Sequence, residues 1–281
     1  MNNFLGSLTD PNIERAKQQA RRRPRQAGFS TAAPGGLPTN FTVIDNWPGC
    51  AASFNIIQDQ SKCGDCWAVS TASVIQDRRC IVHGSPQGSM SSWDMTSCCS
   101  ACRATSNGCQ GGYPTQAFNF YGTAGIVSGG LYGSNDGCKP YPVQPGATSQ
   151  PTTTPCAASC RTGFNTAYSA DKKKGGSYQV YSMENEAVMQ EIYDNGPVVA
   201  TFIVYEDLYH YKSGIYQYTT GNRVGGHAVR LIGWGETADG TPFWRVANSW
   251  GTAWGDHGYF NIIRGTNDCE FEEGFVSGVA L

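Results

Sequence analysis

The sequence predicts an α+β protein of two lobes of different class, with a cleft between them. Helical periodicity concentrates in the first half of the 281 residues. Strand patterns separated by glycine turns fill the second half. Twelve cysteines, spread from Cys50 to Cys269, predict a chain tied by disulfides.

The elements follow in order. Residues 9–23 read as a helix, with Thr9 or Asp10 as cap and Pro11 in the first position. Residues 24–39 carry Pro24, Gly28, Pro34, Gly35, Gly36 and Pro38, a linker composition in which a processing protease would cut. Trp67, Val69, Ala72, Val74 and Ile75 predict a half-buried helix from Cys66 to Cys80, and Tyr113–Tyr121 predicts another, opened by Pro114. Gln144–Pro155 reads as a loop. Residues 183–194 form a third helix, capped by Ser182 and stopped by Asn195-Gly196-Pro197. Val198–Tyr205, His227–Trp234, Phe243–Asn248 and Tyr259–Arg264 read as strands.

Composition excludes several classes. With 40% apolar, 12% aromatic and only 15% charged residues, the chain is not disordered. No run approaches the ~20 apolar residues of a membrane span. A net charge of −2 gives no reason to expect nucleic acid. The charge is uneven: six basic against two acidic residues give residues 1–36 a net +4, leaving −6 on the rest. A basic leader before an acidic body is expected.

The cysteines predict a secretory or lysosomal route, where disulfides persist. The opening MNNFLGSLTD has no charged n-region or apolar h-region, so the expected signal lies outside this sequence. Cys63/Cys66 and Cys99/Cys102 have zinc-knuckle spacing, but they scatter among other cysteines rather than pairing in a compact unit. No metal and no cofactor is expected.

Three residues assemble a chemistry. Cys66 opens the first clear helix, where the macrodipole and backbone N–H groups favour a thiolate. His227 follows Gly225-Gly226, which permit close approach by another chain. Asn248 in Asn248-Ser249-Trp250-Gly251 can fix the imidazole tautomer. These are a nucleophile, a base and an orienter. Gln60 can donate to an oxyanion beside the Cys66 N–H.

Gln60 to Trp67 (Gln-Ser-Lys-Cys-Gly-Asp-Cys-Trp), Gly-Gly-His-Ala and Asn-Ser-Trp-Gly, in that order, resemble the site segments of papain-like cysteine proteases. The 161 residues from Cys66 to His227 exceed the usual interval, which points to the cathepsin B branch. Trp47-Pro48-Gly49-Cys50, Gly111-Gly112-Tyr113-Pro114, Ser128-Gly129-Gly130-Leu131-Tyr132 and Tyr211-Lys212-Ser213-Gly214 resemble that branch too. The resemblance covers about residues 37–281.

The resemblance implies a papain-like fold, with a helical lobe over about 37–160 and a β-barrel-like lobe over about 161–281. It implies a cysteine endopeptidase acting through an acyl-enzyme, made as a zymogen. Cys66 would be nucleophile, His227 base, Asn248 orienter and Gln60 oxyanion donor, with Trp250 shielding the His–Asn contact. Gly111 and Gly112 would bind an extended substrate. Disulfides Cys50–Cys80, Cys63–Cys109, Cys98–Cys156, Cys99–Cys102 and Cys138–Cys160 are implied, leaving Cys66 and Cys269. Asn3-Phe4-Leu5-Gly6 resembles a prosegment tract that crosses the cleft in reverse. Expected partners are protein and peptide substrates, the chain's own prosegment and cystatin-type inhibitors, with the protein a monomer. The alternative is a catalytically silent binding homologue, but all four catalytic positions are filled.

Three departures from the branch matter. The occluding loop's two histidines and extra cysteine pair are missing from Tyr141 to Pro155, so dipeptidyl carboxypeptidase activity is not expected. The acidic residue at the floor of the S2 pocket becomes Gly274, so a neutral pocket of Tyr113, Pro114, Thr201, Gly226, Ala228 and Gly274 is expected. Asp65 replaces the usual Ser or Ala before the nucleophile, where its charge opposes a thiolate unless it points into solvent.

Overall fold

The computed structural model describes residues 5–7, 9–22, 36–153 and 155–281. The linker expected at 24–39 falls mostly outside these, as do Asn3 and Phe4.

The helices are α1 (Pro11–Arg22), α2 (Val43–Asn46), α3 (Ala51–Phe54), α4 (Cys66–His83), α5 (Ser92–Cys98), α6 (Pro114–Thr123), α7 (Tyr168–Asp171) and α8 (Asn185–Asn195). The strands are β1 (Phe41–Thr42), β2 (Ser89–Met90), β3 (Ser128–Gly129), β4 (Tyr178–Tyr181), β5 (Val198–Tyr205), β6 (Ile215–Tyr216), β7 (Arg223–Glu236), β8 (Pro242–Ala247), β9 (Tyr259–Ile263) and β10 (Phe275–Gly278). Seven of them form one sheet in the order β4-β10-β5-β7-β8-β9-β6, and β1 adds to β7. All of these pairs are antiparallel except β6 with β9.

The β-branched run Val198–Tyr205 makes β5, with alternate residues buried towards its end. The expected strand at His227 extends back to Arg223, because β5 pairs along the whole glycine-rich segment. Helix α8 starts at Asn185, not after a Ser182 cap: Met183 takes φ 57°, outside helical geometry, and Glu184 becomes the cap. The core falls into three clusters. The largest lies against the sheet and includes Phe41, Val43 and Phe54 from the first half. A second gathers α4, α6 and Ile13 of α1.

Helix α4 was expected to be half-buried, yet every residue from Cys66 to Cys80 is buried. Gln76, Asp77 and Arg78 find partners inside the protein, which removes the penalty that would keep them at the surface. Asp77 accepts from Arg230 of β7 at 2.6 Å and from Ser53 at 2.7 Å. Arg78 donates to Glu191 at 2.8 Å and to the carbonyls of Pro197 and Gly196. The helix therefore runs as a polar-bonded axle between the helical cluster and the sheet, and it presents its first residue at their junction.

Five disulfides join Cys50–Cys80, Cys63–Cys109, Cys98–Cys156, Cys99–Cys102 and Cys138–Cys160, and Cys66 and Cys269 stay free. The two cysteines with knuckle spacing to Cys66 and Cys102 are thus held by sulfur rather than zinc. Among the described residues, no helix is long and apolar enough to cross a membrane.

Candidate active site

Cys66 is the first residue of α4 and fully buried. Antiparallel pairing of β5 with β7 sets His227 opposite Phe202, and β7 with β8 sets Arg230 opposite Ala247. Asn248, one residue past β8, comes within hydrogen-bonding reach of His227.

The His227–Asn248 contact has a definite polarity. Backbone Ser249 N–H, which can only donate, lies 2.8 Å from Asn248 Oδ1 and so fixes that atom as the amide oxygen. His227 Nε2 lies 2.8 Å from the same oxygen and must donate to it. A neutral ring then leaves Nδ1 as the acceptor. Nδ1 is buried and has no hydrogen-bond partner among the described residues. Trp250 stacks on the imidazole, with centroids 4.9 Å apart and planes 25° from parallel. The contact is dry on that side.

Cys66 packs in one core cluster with Ala228, the neighbour of His227, and the backbone N–H groups of Ala228, Gly6 and Trp67 act on the sulfur. A lowered thiol pKa is the expectation for a helix N-terminus, yet burial pushes Cys66 up to about 12; the three N–H groups oppose the shift and the Asp65 charge adds to it. Burial pushes His227 down to about 4, only partly offset by Asn248. Between those values the pair rests as neutral thiol and neutral imidazole.

Gln60 is fully buried and tied at both ends. Its Nε2 donates to Cys63 O at 2.9 Å, and Ser249 Oγ donates to its Oε1 at 2.5 Å. Ser249 is a residue the sequence reading passed over, although it sits inside the Asn-Ser-Trp-Gly segment. It couples Gln60 to the loop carrying Asn248, and the backbone repeats the link through Gln60 N to Ser249 O at 2.9 Å.

The leader lies in the cleft. Gly112 N donates to Gly6 O at 2.8 Å, and Ser7 N donates to Gly226 O at 3.1 Å. Residues 6–7 are therefore held from both walls by backbone bonds, as in strand addition, and Ser7 bridges Gly112 in parallel. The close approach expected of Gly226 is made by Ser7: a Cβ at position 226 would lie 2.3 Å from Ser7 O. A Cβ at Gly6 would lie 1.7 Å from the Gly64 carbonyl oxygen.

Helix α1 extends the contact. Asp10 is buried and accepts from Thr115 N at 3.2 Å at the start of α6. Ile13 is buried among Ala228, Val199 and Val276, and its Cγ2 would lie 3.2 Å from a Cβ at Gly274. Lys17 pairs with Glu273 at 3.1 Å and Glu270 at 3.3 Å. Gly274 O accepts from Thr201 N at 2.8 Å, which holds these two positions together. Gly111 and Gly112 precede Tyr113, the cap of α6, and Pro114, its first residue. Ile13, Thr201 and Ala228 thus gather around Gly274, and Asp10 ties the same leader to the start of α6.

Because Gly6 has no room for a side chain, Gly6→Leu is expected to weaken inhibition by a synthetic leader peptide by at least tenfold, read as Ki against the processed enzyme. An unchanged Ki would show that residue 6 does not lie against Gly64.

Asp65 does not point into solvent. It is fully buried, accepting from Tyr141 Oη at 2.8 Å and Thr96 Oγ1 at 2.9 Å. Of the other histidines, His83 ends α4 exposed, and His210 is exposed at the end of a 3₁₀ turn.

Residues 38–279 match the papain family of cysteine proteases. The chain is 45% identical over 248 residues to a gut-specific cysteine proteinase of Caenorhabditis elegans, covering 87% of this chain and 74% of the relative. It is 43% identical to cathepsin B-like cysteine proteinase 1 of Haemonchus contortus, covering 86% and 73%. The solved procathepsin B S9 of Trypanosoma congolense superposes with a TM-score of 0.79 at 35% identity, over 99% of this chain and 86% of that one. The leader across the cleft, the five disulfides and these likenesses agree: the chain belongs to the papain family of cysteine proteases, in its cathepsin B-like group, with the fold of a zymogen.

Proposed function

We propose that the protein is a cysteine endopeptidase, with residues 1–36 as prosegment and 37–281 as the peptidase unit. Cys66 attacks the peptide carbonyl, His227 takes and returns the proton, and Asn248 holds the ring. Gln60 and the Cys66 N–H receive the oxyanion, and water completes hydrolysis of the acyl-enzyme. The observation that carries this reading is the buried His227 Nδ1, left as an acceptor by the 2.8 Å bond to Asn248 and set in the strand whose next residue faces the Cys66 sulfur. Gly111, Gly112 and Trp250 serve as substrate-side walls. A secretory or lysosomal setting, a monomeric state and inhibition by cystatin-type proteins belong to the same reading.

Endopeptidase rather than exopeptidase action rests on the 141–155 stretch. It lacks histidine, and its described residues are tied to the helical lobe: Asn107 Nδ2 donates to Pro151 O at 3.2 Å and Ala147 N to Ser61 Oγ at 3.0 Å. Residues 141–155 contain no histidine, lysine or arginine to pair with a substrate carboxylate. For specificity, Ile13 beside Gly274 supports an apolar P2 side chain. Glu272 is committed elsewhere, accepting from Trp244 Nε1 at 3.1 Å and Asn267 N at 3.0 Å.

The test uses the processed enzyme on peptide reporters. Phe-Arg and Leu-Arg substrates are expected to exceed Arg-Arg in kcat/KM by about tenfold or more, since one apolar pocket contact is worth roughly 1–3 kcal/mol. A blocked-N-terminus peptide is expected to be cut internally. A ladder of two-residue losses from its C-terminus, or an Arg-Arg preference, would overturn these assignments.

A further inference from the structure

We propose that Asp65 is a positioning residue with two states, which acts on the oxyanion side of the site through Tyr141 and the Gln60 carbonyl. This rests on the reading of Cys66 and Gln60 above.

The cap position of α4 would normally turn its side chain to the helix N–H groups, yet Asp65 makes no such bond. Its carboxyl turns instead into a closed cluster. Tyr141 Oη stands 2.8 Å from Asp65 Oδ1 and 3.1 Å from Gln60 O. Thr96 Oγ1 stands 2.9 Å from Asp65 Oδ2 and 2.9 Å from Ser92 O. Each hydroxyl has one proton and two acceptors.

The two protonation states therefore differ in connectivity. An ionised Asp65 draws both hydroxyl protons, and Gln60 O receives none from Tyr141. A neutral Asp65 with its proton on Oδ1 donates to Tyr141, and Tyr141 then donates to Gln60 O. Gln60 is the oxyanion donor in that reading, and its carbonyl also accepts from Cys63 N at 3.1 Å. The neutral state thus adds a bond to the Gln60 carbonyl and removes an anion next to the nucleophile. Burial raises Asp65 to about 7, against the two hydroxyl bonds, so both states are reachable near neutrality.

The groups around Asp65 do not mask this change. Tyr141 and Cys66 are the titratable neighbours, and Asp59 acts on Tyr141 from the preceding turn. From α5, Asp94 is matched by Lys139 and Lys172 at 2.8 Å each. His227 approaches from β7, and Lys62 is half-buried on the same loop. No lysine or arginine makes an ion pair with Asp65 among the described residues.

The test compares wild type and Asp65→Asn, each made as the full chain and processed in place. Epoxide titration first counts active sites, and full titration in both leaves the protease reading standing whatever follows. Asp65→Asn is expected to move the descending limb of kcat/KM upward by about one pH unit, and the iodoacetamide profile of the thiol downward. Superimposable profiles in fully titrating enzyme would overturn the proposal. Should Asp65→Asn fail to fold, Tyr141→Phe reads the same relay. A several-fold loss of kcat at pH 5.5 that shrinks at pH 8, with KM unchanged, is expected, and an equal loss at both values would overturn it.

Discussion

Cys66→Ala is expected to abolish peptide hydrolysis in the processed enzyme, and His227→Ala to lower kcat/KM by on the order of 10⁴-fold. The size follows from what each atom does. Without Sγ there is no covalent intermediate, and nothing else in the cleft is placed to attack. Without the imidazole, the thiol keeps its proton at neutral pH and the leaving amine finds no acid. Asn248→Ala is expected to cost less, about 10²-fold, because the ring survives and loses only the 2.8 Å bond that sets its tautomer and direction. The losses should fall on kcat rather than KM, since the walls formed by Gly112 and Gly226 are unaltered. An epoxide label is expected to reach one equivalent on Cys66 in wild type and none in Cys66→Ala. Activity within tenfold of wild type in either single variant, or label on Cys269, would remove the mechanism, whereas no hydrolysis and no label in wild type would favour the silent binding homologue.

The sequence made part of this visible and hid the rest for physical reasons. Local patterns were legible: the β-branched run of β5, Pro114 at the start of α6, and Asn195-Gly196-Pro197 after α8 each state a backbone preference over a few residues. Motif-bearing residues were legible too, since Cys66, His227 and Asn248 sit in short segments whose chemistry is plain. What depends on partners far along the chain was not. The full burial of α4 was not legible, because Asp77 and Arg78 are paired with Arg230 and Glu191, more than a hundred residues away. Asp65 reads as a nuisance charge until Tyr141 and Thr96 are found around it. Strand β10 and helix α5 went unread because glycine, serine and cysteine weaken their periodicity, and packing supplies what propensity does not. The pKa of Cys66 went the other way from the helix-terminus expectation, because burial of the sulfur outweighs the backbone N–H groups around it.

Removing the leader is expected to raise the rate at which iodoacetamide alkylates Cys66 at pH 6 by about 100-fold or more, corresponding to at least two pK units in the thiol. The covered site holds sulfur and imidazole in a dry space, with the thiol near 12 and the imidazole near 4. Opening the cleft admits water, which favours both charged forms, and each then stabilises the other. The proton moves from sulfur to Nδ1 with no net uptake, so the gain holds across neutral pH. Stopped-flow alkylation of the full chain and the processed enzyme checks this statement. Equal alkylation rates with and without residues 1–36 would mean that the leader does not set the charge state of the pair, and the zymogen would need another explanation for its silence.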